Sequence, residues 1–409
     1  MPNFSIALTG LQADTIALNT IGNNLANLNT TAFKSQQTQF EDLFYQNIGS
    51  SGSGNTLQVG VGTRVSGTTS NFSQGSLTTN TTNTDVALSG QGFFLVQQGQ
   101  QQSLTRAGDF QLNASGDLIT SGGQSVMGYG VSNGAVNLNG GLVPLQVPVT
   151  ANESAQPTQN IALTTNLNSA ATTGTTFSSP VTVYDSLGES HSATVAYTKT
   201  SPTTWTYSIA LPSGDATGTP INNTGILTFS ASGTLVSPTA NVAGVSFPGL
   251  VDGAGSVTFD YNLYSSSGTS LVTQTAGASN TAATTQDGFA AGAYQNFSVD
   301  GNGVITASFS NGNTAQVGQI AVANVTNTSG LMFAGANNYR ATAASGAISV
   351  ATANVGGRGV IEGEALEASN VDISSEFSEL IVAQRAFEAN SKTVTTFDTV
   401  TQDAISMVR

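Results

Sequence analysis

The chain has 409 residues and a formal charge of −14, from 9 basic and 23 acidic side chains, and it has no cysteine. That balance excludes a basic phosphate-binding stripe, so nucleic acid is not expected as a partner and an anionic membrane surface is disfavoured. Without thiols there are no disulfides and no thiolate metal sites. Only 8% of residues are charged, while 46 are glycine and 38% are apolar, which suits folded, turn-rich β-structure in more than one domain.

The first ten residues, MPNFSIALTG, offer neither a basic n-region nor a continuous apolar core, so a cleaved signal peptide is not expected. No window reaches the roughly 18 apolar residues of a membrane span, so membrane insertion is not expected either. A helix is predicted from about Ser5 to Asn27. Phe4, Leu11, Leu18 and Leu25 repeat at a seven-residue step, Leu8 stands on the alternate step, and Ile21 and Leu28 widen the stripe beyond one facing helix. These seven residues are the expected N-terminal assembly seam. The helix ends in NNLANLNTTAFKSQ, whose Asn and Thr side chains compete with the helical backbone.

In that stretch Asn24, Ala26, Asn27, Asn29, Thr30, Phe33 and Lys34 stand as in a motif of the axial proteins of the bacterial flagellum, and the chain resembles that rod and hook family. Ala32 stands where the family more often has Gly, a residue favoured at positive φ. Phe40 and Phe44 follow at helical spacing. The resemblance implies that such a pair is recognised by the flagellar type III export gate; the alternative is that both rings pack on the stem. A Gly/Ser-rich segment, 48–84, is expected to be a mobile linker.

From Asp85 the pattern turns to strands. Residues 85–144 and 285–364 are similar to the two halves of the family's inner β-domain, the first half marked by Thr105, Arg106, Ala107 and Gly108. Arg106 is expected in an ion pair with a nearby Asp. Residues 145–284 show alternating strand runs with turns about every ten residues, as in an all-β sandwich or barrel, with Trp205 in its core. That insertion is similar to the outer domain of the hook members of the family.

Catalysis finds no support. His191, the single histidine, sits between Ser190 and Ser192 and reads as an exposed turn residue, and one histidine is too few for a His-based zinc site. Asp300-Gly301-Asn302 starts like a calcium loop, but Val304 holds the next ligand position. No enzyme activity, metal or cofactor is expected.

The chain closes on a long helix from about Asn370, capped by Asp372. Ile373, Leu380, Phe387 and Val394 repeat at seven residues and continue to Val408, with Phe377 on the alternate step; this is the expected C-terminal seam. Glu388 and Lys392 are spaced for an ion pair on its outer face. Gln384, Arg385 and Asn390 carry the family's C-terminal signature.

The expected fold is mostly β with long terminal α-helices. The terminal helices, 1–47 and 365–409, pair as a coiled-coil stem that carries a discontinuous inner β-domain and an inserted outer all-β domain. The resemblance implies a structural subunit of the flagellar hook, which polymerises into a flexible tube that transmits torque as a universal joint. It also implies the distal rod protein, the hook cap, the hook–filament junction protein and the type III export apparatus as partners, at an extracellular site reached without signal cleavage. Its alternatives are a distal rod protein of the basal body and a secreted β-rich adhesin or binding protein.

Overall fold

The computed structural model describes residues 4–50, 56–150 and 152–407. Among the described residues two α-helices, α1 (Phe4–Ala26) and α2 (Ile373–Ser406), bracket strands, turns and the short 3-10 helix Thr328–Gly330. The chain divides into two compact units. One comprises 1–149, 296–307 and 315–409; the other comprises 150–295 and 308–314.

In the first unit, α1 and α2 run antiparallel, with Asp14 beside Asn390 and Asn24 beside Glu376. The Asp372 side chain caps α2 by accepting from the Ser375 amide at 2.8 Å. The row of α1 that is buried is made of small side chains: Ala7, Gly10, Ala13 and Ala17, continued by Thr20, Ile21 and Asn24. A Cβ on Gly10 would lie 2.7 Å from Asn390 Nδ2, so a larger residue there would displace the side chain that bonds Asp14. The leucine row is not the one that packs inside the subunit. Leu8 is exposed, and Leu11, Leu18, Leu25 and Leu28 are half-buried. Close approach of two helix backbones selects small residues and leaves the longer ones at the margin.

The segment expected to be a mobile linker is largely paired. Strand Gln36–Asp42 pairs antiparallel with Thr63–Ser70, and Gln46–Ser50 pairs with Thr56–Val59. Farther on, Leu77–Thr79 pairs with Ala365–Glu367, and Val86–Ser89 pairs with Val360–Gly363, so the outgoing and returning arms are laced together. Composition describes only the local chain; the partners of these strands lie up to hundreds of residues away. Phe40 falls in a strand and Phe44 in the loop after it, so the pair does not share a helix.

The inner β-structure is built on the hairpin Phe93–Gln98 and Gln101–Thr105, flanked by Ser125–Tyr129 and by Val322–Asn324 and Asn338–Arg340 from the later part of the chain. Phe93, Leu95, Leu104, Met127 and Tyr339 form its core, with Phe72 packed edge-on against Phe93 at 5.8 Å. A Cβ on Gly108 would lie 1.7 Å from the Val86 carbonyl oxygen, which fixes glycine there.

The second unit is a sandwich of two sheets. One runs Thr176–Tyr184, Ser190–Ser201, Thr204–Ala210, Thr224–Phe229 and Leu235–Ser237; the other centres on Asn160–Asn168. Burial alternates along Ser190–Ser201, as a half-buried strand requires. Trp205 is fully buried and its indole donates to Gln274 Oε1 at 3.0 Å, while Tyr197 and Tyr261 share a 2.6 Å hydroxyl contact. His191 is a correction to the sequence reading. It lies inside the strand and is buried, because the alternation that the flanking serines suggested as a turn places its ring on the inner face. Burial pushes the imidazole pKa down, but bonds to Asp215 and Asp185 outweigh this and hold it above its ordinary value.

Candidate assembly surface

Where α1 ends, three residues from distant parts of the chain meet in the interior. Lys34 Nζ lies 2.6 Å from Glu367 Oε1, and Arg106 Nη1 lies 3.6 Å from Glu367 Oε2. All three side chains are buried. Burial pushes both cations' pKa values down, and the Glu367 carboxylate opposes the shift in each. One carboxylate faces two cations, so the surplus is met by main-chain carbonyls. Lys34 donates to Ser73 O at 2.8 Å, and Arg106 donates to Leu88 O at 3.0 Å and Gly90 O at 2.5 Å. The Arg106 partner is therefore a Glu on the returning arm, not a nearby Asp.

The turn that delivers Lys34 passes through Ala32, which has φ 55° and is fully buried. Its amide donates to the Glu367 carbonyl at 2.7 Å. The conformation that glycine would favour is kept although alanine occupies the position. Asn24 ties the same junction from the helix side. Its amide group donates to Gln36 O at 2.8 Å and accepts from the Gln36 amide at 2.9 Å, and it also donates to Glu376 Oε1 at 2.9 Å. The Asn370 amide group donates to Asn71 O, and its Oδ1 accepts from the Ser35 amide at 2.7 Å.

Among the motif residues, Asn24, Phe33 and Lys34 are thus structural groups of this junction. Asn27 closes the helix end by donating to Asn23 O, and Thr30 donates to Asn27 Oδ1. Ala26 and Asn29 are exposed. On α2, Asn390 donates to Asp14 Oδ2 at 2.8 Å, whereas Gln384 and Arg385 point to solvent. Arg385 pairs with Glu388 at 3.0 Å, displacing the expected Glu388–Lys392 pair.

After the two helices have paired, a broad apolar surface is left on them. On α2, Ile373, Phe377, Ile381, Phe387, Val400 and Ile405 are exposed, as is Val382 at 69%. Leu380 and Val394 are half-buried, and Val408 lies outside the described residues. On α1, Ile6, Leu8 and Ile16 are exposed; Ile21 is the one member of the expected N-terminal row that is buried, and for Phe4 only its place at the start of the helix is described. A cleft of about 560 Å³ lies between α1, strand Gln36–Asp42 and α2, lined by Ala17, Ile21, Phe40, Val382 and Ala386 among others. Phe40 is half-exposed at its mouth and Phe44 is 92% exposed. Contiguous apolar surface of this kind marks an interaction site. The sequence pattern located the apolar helices, but it assigned the leucines to the intramolecular contact that the alanines and Gly10 make.

Comparisons with known proteins cover nearly the whole length of the chain. Four family models match: "Flagella basal body rod protein" over residues 4–34, "Flagellar hook protein FlgE/F/G D1 domain" over 87–169, "Flagellar basal body protein FlaE D2 domain" over 149–289, and "Flagellar basal body rod FlgEFG protein C-terminal" over 362–407. The flagellar hook protein FlgE of Escherichia coli K12 is 34% identical, with 99% of each chain covered. That of Salmonella typhimurium is 33% identical over 99% of this chain and 100% of its own, and that of Treponema pallidum is 32% identical over 98% of each. Among solved structures, the Helicobacter pylori flagellar hook protein FlgE2 superposes with a TM-score of 0.55 at 17% identity, covering 71% of this chain and 100% of that one, which supports the same fold.

Proposed function

The chain belongs to the flagellar hook protein family, and from that premise we propose how its stem performs the family's role. It is a structural subunit of the bacterial flagellar hook. In our reading the subunit polymerises through its helices. The observation that carries this is the apolar face that α1 and α2 leave uncovered after pairing with each other. Each such side chain contributes about 1.5–3 kcal/mol when fully buried. Neighbouring subunits supply the cover, and contacts of that head-to-tail kind, when they do not close a ring, generate a helical polymer.

The outer β-domain, 145–284, slides against those of neighbouring subunits while the stem stays packed, which makes the tube a flexible joint that transmits torque. The subunit is exported without a cleaved signal peptide through the flagellar type III apparatus, with Phe40 and Phe44 as the export element. The distal rod protein, the hook cap and the hook–filament junction protein are its other partners. Its work is mechanical, with no catalysis assigned. Relatives that match over nearly their full length carry the hook name, so no observation favours the distal-rod reading or the adhesin reading.

The test is polymerisation of the purified full chain followed by electron microscopy. Wild-type protein forms tubes, and the pair Ile381→Asp with Val382→Asp remains monomeric with its β-structure intact. Normal tubes from that variant would refute the reading.

A further inference from the structure

Four ionisable side chains converge at one end of the sandwich. Asp185 belongs to the turn between strands Thr176–Tyr184 and Ser190–Ser201, and His191 opens the second of these strands. Asp215 follows strand Thr204–Ala210, and Asp252 lies between Val242–Phe247 and Val257–Asn262. The loops are anchored before any ligand arrives. Asp185 Oδ1 accepts from the Leu187 and Glu189 amides at 2.8 and 2.9 Å, and Asp252 Oδ1 accepts from the Ala254 amide at 2.9 Å. The Val251 amide donates to Asp215 O at 3.0 Å, and the Gly255 amide donates to Ser186 Oγ at 3.2 Å.

With those oxygens engaged, the second oxygen of each carboxylate is aimed at the imidazole. His191 Nε2 lies 3.4 Å from Asp185 Oδ2 and 3.6 Å from Asp252 Oδ2, and Nδ1 lies 3.2 Å from Asp215 Oδ2. Asp185 is fully buried, and its Oδ2 faces His191 Nε2. The two Nε2 separations exceed the roughly 2.7–2.9 Å of a charge-assisted hydrogen bond. They match instead the edge of a tetrahedron around zinc, about 3.3–3.6 Å for bonds of about 2.0–2.2 Å. The ligand atoms of Asp185, His191 and Asp252 all lie within 4.8 Å of one another.

Charge points the same way. Three carboxyl groups surround one imidazole, so acidic groups outnumber the base at this end of the unit. Between residues 150 and 295 the sole Lys or Arg is Lys199. It stands eight residues farther along the His191 strand, about 26 Å away, with its ammonium on the Ser169 carbonyl. No side-chain cation of this unit other than the histidine is in reach.

We propose that Asp185, His191 Nε2 and Asp252 form a binding site for a divalent transition ion of the zinc class, with Asp215 orienting the imidazole through Nδ1. A carboxylate on the far nitrogen is the usual support of a metal-bound histidine. One histidine is enough when carboxylates complete the set, which a count of histidines alone misses. The fourth position is left to water, on the side where Asp215 and Asp252 are partly exposed. A bound ion ties the Asp185 turn, the His191 strand and the Asp252 loop together and stiffens that end of the unit.

The experiment is calorimetric titration of chelator-treated, monomeric full-length chain with zinc chloride, repeated with cobalt(II) chloride and read by visible absorption. The expected result is saturation at one equivalent, with the absorption bands of tetrahedral cobalt. His191→Gln and Asp252→Asn each abolish it, and Asp215→Asn weakens it about 10–100-fold. Asp252 lies in a loop and is partly exposed, so Asp252→Asn keeps the fold, checked by Trp205 fluorescence. With one histidine and no cysteine in the chain, competing sites are few. The proposal is overturned by zinc failing to saturate at one equivalent in wild type, or by unchanged binding in folded His191→Gln or Asp252→Asn.

Discussion

Asn24 and Glu376 stand 352 residues apart in sequence and share a buried hydrogen bond of 2.9 Å across the two terminal helices. Asn24 also pairs in both directions with the main chain of Gln36, so one amide group fixes α1, the strand that follows it and the first turn of α2. The remaining carboxylate oxygen of Glu376 is buried and has no partner.

Replacing Asn24 with Ala removes all three bonds and leaves a buried carboxylate without its donor. The expected cost is about 2–4 kcal/mol. Urea unfolding followed by helical circular dichroism checks it, and a loss within about 0.5 kcal/mol of zero would show that the junction is held by other contacts.

The same carboxylate makes the stem sensitive to pH. Burial pushes the Glu376 pKa up from 4.5, the Asn24 bond offsets part of this, and nearby Glu379 adds to it. The folded state then holds the proton more tightly than the unfolded one. The stabilisation is complete below the ordinary value and is lost as pH rises through the raised one. Thermal melts of the helices are expected at higher temperature near about pH 5 than near about pH 7, with Glu376→Gln removing that component.

Glu367 lies between two buried cations, so Glu367→Gln is expected to be worse than Lys34→Met. The first leaves Lys34 and Arg106 facing each other without an anion; the second leaves Glu367 with Arg106 and with the Gly75 amide at 2.9 Å. Breaking a buried pair costs about 3–5 kcal/mol, and Glu367→Gln should fall in that range. Chemical denaturation of the two variants ranks them, and the reverse order would contradict the geometry.

At Ala32 the gain should be small and positive. A left-handed alanine costs about 1–2 kcal/mol and its buried methyl contributes about 0.8 kcal/mol. Ala32→Gly is therefore expected to stabilise by a few tenths to about 1 kcal/mol, measured by the same unfolding assay.

How far the sequence disclosed these features depended on whether they were local. The ends of both helices and the Asp372 cap follow from neighbouring residues, and so does the strand alternation around Trp205. Alanine in place of the family's usual glycine left the turn at Ala32 open in the sequence, and the backbone keeps the left-handed conformation all the same. What escaped was set by contacts between distant residues. Lys34 and Glu367 are 333 positions apart, and nothing around either announces a buried pair. His191 looks exposed between two serines until Asp215 and Asp252 are brought to it by separate loops. The leucine repeat indicated apolar helices, but the choice between inner seam and outer margin turned on Gly10 and on the alanines that allow close approach.

The central claim is that the apolar margin of the stem is covered by other subunits. Amide hydrogen exchange along α1 and α2, compared between dilute monomer and assembled tubes, tests it most directly. The account predicts that both helices are less protected in the monomer than after assembly, most of all along their exposed apolar faces, with the β-units protected alike in both. Equal, strong protection of both helices in a strictly monomeric sample would contradict it.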